Sequence, residues 1–101
     1  MSTDTILSSE QVILHLRGLI DPELCLNVVD LGMVESVRID EGRVEIDLLL
    51  TSPGCPLQGV FTTGAQAIVG ALPGVTSVVV NFPELPPWTT SRIAPEVLDQ
   101  L

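Results

Sequence analysis

From Leu48 to Pro83 the chain carries no aspartate, glutamate, lysine or arginine. So long an uncharged stretch must lie either in a bilayer or largely in a folded core. Pro53, Pro56 and Pro73 interrupt it, and no run of ~20 consecutive apolar residues exists to span a membrane. The stretch is therefore expected to supply the core of a small domain. With 46% hydrophobic and 17% charged residues, the composition is that of a globular protein. A chain of 101 residues builds one hydrophobic core and not two. Residues 1–101 are read as a single domain, with 1–7 as a flexible lead.

The pattern predicts five elements. "SSEQVILHLRGLI" opens on a capping box, best matched by Ser8 and Gln11. Val12, Leu16, Leu19 and Ile20 then fall on one helical face, and Pro22 ends or redirects the helix. "VESVRIDEGRVEIDLLL" reads as a β-hairpin turning at Asp40-Glu41-Gly42-Arg43, with Val44, Ile46, Leu48 and Leu50 on one face. "CPLQGVFTTGAQAIVGALPG" reads as a second helix, with Val60, Phe61, Ile68, Ala71 and Leu72 inward and Pro73-Gly74 as its stop. "VTSVVVNF" is a third, buried strand. The order helix-strand-strand-helix-strand gives an α/β (α+β) fold, a small two-layer sandwich on a mixed three-stranded sheet. The helical crossover makes the third strand parallel to a neighbour.

Thirteen acidic residues stand against four basic ones, all arginine, for a net charge of −9. Such a surface repels phosphate backbones and anionic head groups, which argues against nucleic acid and membrane partners. "MSTDTILSSEQ" lacks the basic and apolar regions of a signal peptide. A cytoplasmic location is therefore expected, with Cys25 and Cys55 reduced and not joined in a disulfide.

Cys55 lies between Pro53 and Pro56, where the second strand gives way to the second helix. Pro56 suits a first helical position, which would put Cys55 at or beside the N-cap. Unpaired N–H groups and the positive end of the helix dipole would then favour a thiolate. Gly54 would leave room beside the sulfur, and Thr51 and Ser52 would add hydroxyl donors. A thiolate there could bind a soft metal or attack an electrophile, and a partly buried cap residue fits the same spacing. In "DPELCLNVVDLG" Asp21 and Glu23 fit the start of a capped turn, and Asp30-Leu31-Gly32 fits a second one. Cys25 reads as a small apolar filler. His15, at the border of the first helix's apolar face, has no second ligand beside it and reads as structural.

Four segments in order, "DPELCLNVVDLGMV", "LLTSPGCP", "LPGVTSVVVNF" and "PPWTTSRIAPEVLDQL", resemble the SufT/PaaD-like family of metal–sulfur cluster biosynthetic proteins. The likeness spans roughly residues 10–101. It implies a small α/β domain that helps mature iron–sulfur proteins, while some members serve phenylacetyl-CoA-type multicomponent oxygenases. Carried over by position, it implies that Cys55 is the reactive cysteine, Asp21 the acidic site residue with Glu23 beside it, and Thr51 the family's threonine. Cys25 inherits no role. No cysteine-rich segment follows the "PPW" motif, which sets the expectation toward assembly and away from the oxygenase systems.

Three functions fit these residues. In the first, an assembly or maturation factor uses Cys55 to hold iron or an iron–sulfur cluster in passing, supported by Asp21, Glu23, Thr51, Ser52 and Gly54. Its partners would be assembly proteins or target apoproteins. In the second, a thiol enzyme uses Cys55 as nucleophile, but such a nucleophile normally works with a histidine and His15 sits in no motif. In the third, Trp88, flanked by Pro86 and Pro87, anchors a partner, or else merely covers the sheet's open edge. The expectation is a factor that is not a catalyst and has no stably bound cofactor. An iron–sulfur cluster usually takes four thiolates, so one carried here would bridge two chains of a homodimer or sit between Cys55 and a partner.

Overall fold

The computed structural model describes residues 7–51 and 57–98. Helix α1 (Ser9–Leu16) starts as its capping box requires, with the Ser8 hydroxyl accepting from the Gln11 amide at 3.2 Å. It is shorter than its apolar pattern suggests. The Gly18 and Leu19 amides turn back to the His15 and Leu16 carbonyls, closing the helix in a tight turn. That turn keeps Leu19 in the core but leaves Ile20 48% exposed, contrary to the expectation of a continuous face. Ile20–Asp21 (β1) and Leu26–Asn27 (β2) form a two-residue antiparallel ladder that the pattern does not announce.

The main sheet has the order β3 (Val34–Asp40), β4 (Arg43–Leu48), β5 (Ser77–Asn81). Strand β3 is antiparallel to β4, and β5 is parallel to β4. This is the mixed three-stranded sheet that the order of elements implies. The hairpin turn places Glu41 at φ 48° and Gly42 at φ 92°, a type I′ geometry whose twist matches the strands it joins. Val44, Ile46 and Leu48 of the central strand are fully buried. Leu50 lies beyond the end of β4 and is half-buried, while Leu49 is buried.

Helix α2 (Gln58–Gly70) crosses over the sheet. Its buried positions are Phe61, Ala65 and Val69, with Leu72 just beyond. This i, i+4, i+8 stripe corrects the expected inward face: Val60 is 51% exposed and Ala71 is also exposed. The reason is competition within an uncharged helix, where many faces look apolar and the bulk of Phe61 fixes the rotation. Leu57 occupies the N-cap position with no side-chain cap, so the helix begins later than a Pro56 start would have it. Leu57 packs on the core, which selects that boundary. A 3-10 turn (Thr90–Arg92) and a short helix α3 (Pro95–Leu98) follow β5.

The face of the sheet away from the helices is polar and internally bonded. Arg38 makes a two-pronged bond to Asp47 (3.1 and 3.0 Å) and lies 3.3 Å from Glu45. The Asn81 amide donates to Glu45 and Asp47 at 2.8 and 3.0 Å, and the Ser36 hydroxyl donates to Asp47 at 3.1 Å. The network ties all three strands together.

Candidate functional site

Asp21 is a charged residue driven into the interior, only 1% exposed. One carboxylate oxygen accepts from the Glu23 and Leu24 amides at 2.8 and 3.3 Å, and the Asp21 carbonyl accepts from the Cys25 amide at 2.7 Å. The turn closes with Cys25 at φ 58°, a left-handed conformation uncommon for a side-chain-bearing residue. Cys25 is therefore exposed and not the apolar filler expected of it. Its thiol lies 4.0 Å from the Pro22 carbonyl. Glu23 is exposed.

The next turn is clasped from the far end of the chain. Asn27 and Asp30 bond reciprocally at 2.8 and 2.9 Å, and Arg17 pairs with Asp30 at 2.8 Å. The Trp88 indole N–H donates to the Leu31 carbonyl at 2.6 Å, and Arg92 Nε donates to the Gly32 carbonyl at 2.7 Å. The Ala94 amide reaches the Asp30 carbonyl at 2.8 Å. A bulge between Val34 and Ser36 interrupts the ladder at Glu35, which meets Arg92 Nη2 at 2.9 Å. "VVDLG" and "PPW…SR" are thus two halves of one clasp. Trp88 is half-buried, with its ring against the core and its N–H spent on Leu31.

Beside this clasp lies a cavity of about 290 Å³. Leu49, Leu50 and Thr51 line it from the end of the central strand, and Phe82, Pro83, Pro86, Pro87 and Trp88 line it from the strap after β5. Gln58, at the start of α2, and Glu84 complete it. Thr51 and Gln58 bracket the segment that holds Ser52, Gly54 and Cys55, three candidate residues that lie outside the described residues. Asp21 and Glu23 do not line this cavity. Of the sequence-derived candidates among the described residues it gathers Thr51 and Trp88. The pattern gave no notice of Leu49, Leu50, Gln58, Phe82 or Glu84; the proline spacing in "FPELPPW" was the available signal for a rigid wall. His15 is exposed, its Nδ1 3.0 Å from the Gln11 carbonyl. Among the described residues no group of three or more His, Cys, Asp or Glu side chains is placed to hold a metal.

A two-layer domain with a mixed sheet, a clasped "VVDLG" turn and a cavity at the strand-to-helix junction defines the class. Residues 9–81 match the family described as iron-sulfur cluster assembly protein, and the chain belongs to that family. It is 38% identical over 76 residues to the Fe-S protein maturation auxiliary factor SufT of Staphylococcus aureus (strain USA300), covering 74% of this chain and 86% of that one. It is 39% identical over 76 residues to an iron-sulfur cluster carrier protein of Synechocystis, covering 75% of this chain but 22% of that larger protein. Among solved structures, a conserved hypothetical protein from Thermotoga maritima matches with a TM-score of 0.82 and 36% identity, covering 99% of this chain and 97% of the other.

Proposed function

We propose that this protein is an accessory factor for iron–sulfur cluster assembly or for maturation of iron–sulfur proteins, with Cys55 as its working thiol. The observation that carries the reading is family membership across the whole sheet-and-helix core. In the sequence Cys55 falls between Thr51 and Gln58, two residues that line the cavity, and this supports it. Iron or a cluster is cargo in this reading. The sequence has two cysteines, whereas a cluster usually takes four thiolates. A carried cluster therefore completes its ligands from a partner, a target apoprotein or the Cys55 of a second chain. Asp21 holds the turn that leads into the clasp, and Thr51 offers a hydroxyl at the cavity.

Anaerobic reconstitution with iron and sulfide, followed by size-exclusion chromatography and metal analysis, tests the reading. The expected result is a labile cluster in a dimer or mixed complex, lost on Cys55→Ser. A stoichiometric cluster in the monomer that survives Cys55→Ser overturns it.

A further inference from the structure

The strap after β5 is built as a stiff wall. Pro83, Pro86 and Pro87 fix three backbone φ angles and remove three N–H groups, and the Trp88–Leu31 bond pins the end. Opposite stand Leu49 and Leu50, so the groove is apolar on both sides and formed before anything enters it. Its volume of about 290 Å³ is roughly twice the ~150 Å³ cavity that accepts a benzene ring. One or two aliphatic side chains fit. Thr51 and Gln58 place hydroxyl and amide groups along the lining, suited to the backbone of an extended peptide. Among the described residues Glu84 is the one charged residue in the lining, and no arginine among them pairs with it.

We propose that this groove docks an extended segment of a partner polypeptide bearing an aliphatic side chain with a lysine or arginine next to it. The aliphatic group fills the space between Leu50 and Trp88, and the cation meets Glu84. The net charge of −9 favours a basic partner segment over a second copy of this acidic chain. The assignment rests on the maturation role proposed above and names the chemistry of the partner that role requires.

Trp88 is the only tryptophan, and there is no tyrosine, so its emission reports directly on the groove. The apo full-length chain, free of iron and sulfide, is titrated with acetyl-Gly-Leu-Lys-Gly-amide while Trp88 fluorescence and backbone amide shifts are followed. A saturable change is expected, with Kd about 1 mM or tighter and shifts at Leu50, Thr51 and Gln58. The Gly-Ser-Lys-Gly and Gly-Leu-Glu-Gly peptides should each bind at least about threefold more weakly. The exposed Glu84→Lys change should reverse the preference between the lysine and glutamate peptides. The proposal is overturned by the absence of saturation, by equal binding of the glutamate peptide, by shifts confined to other faces, or by an emission change that tracks protein concentration instead of peptide. Because no cargo is present, each of these results leaves the Cys55 reading standing. Loss of cargo in Cys55→Ser is measured separately and leaves the groove reading standing.

Discussion

Gly32 sits at φ 71°, and a Cβ there would run into the Arg92 backbone carbonyl. Two independent penalties therefore meet at one residue, the left-handed backbone and a collision with main chain that has no rotamer escape. Gly32→Ala should cost about 2 kcal/mol or more, read from urea denaturation, with faster amide exchange at Arg92 and Ala94. Trp88→Phe keeps most of the ring but strands the Leu31 carbonyl, and should cost about 1 kcal/mol in the same experiment. Asp21 bonds two successive amides of its turn, so Asp21→Ala should lose about 1–2 kcal/mol, as for a lost cap. Asp21→Asn, which keeps an acceptor oxygen, should recover most of that loss. A stability loss in Asp21→Ala too small to measure would mean that the carboxylate is not what holds the turn.

At the scale of elements, the polar face of the sheet makes a pH prediction. Glu45 is held below the ordinary carboxylate range by the Asn81 amide first and then by Arg38. Asp47 is held below it by Arg38 first, then by Asn81 and Ser36. A folded-state pKa below the unfolded value contributes stability that is present above about pH 4 and is lost as pH falls through the folded value. The network is solvent-facing and screened, so the contribution is modest. Arg38→Met should therefore lower the urea midpoint at pH 7, and the gap from the parent should close toward pH 2. A gap unchanged between those two pH values would assign the effect of Arg38 to packing of its stem. The hairpin carrying this network was legible from "DEGR" and from strict alternation in "VEIDL". The network itself was not, because Asn81 joins it only through the parallel pairing of β5 with β4, with Asn81 opposite Asp47.

For the whole molecule, charge is the dominant global property. Thirteen acidic groups against four arginines repel one another in the folded state more than in the expanded chain. Raising salt from about 20 mM to about 300 mM shortens the Debye length and should raise the melting temperature by a few degrees. A fall on adding salt would mean that the arginine pairs outweigh the repulsion. Solubility should be poorest near the sequence pI of about 4.1, where the net charge vanishes.

What the sequence determined alone was set by local chemistry: the Ser8 cap, the Glu41-Gly42 turn, the buried alternation of the central strand and the order of elements. These depend on residues a few positions apart, and their energies do not wait for the rest of the fold. Family likeness was legible too, since its four motifs are contiguous strings. Tertiary structure decided where competing local solutions were close in energy. It ended α1 early, rotated α2 onto Phe61, Ala65 and Val69, and turned Cys25 outward on a left-handed backbone. It also made the clasp and the groove, whose walls come from the end of β4 and from the strap after β5. Such contacts close long loops at an entropic cost that only the assembled core offsets, so no short window of sequence contains them.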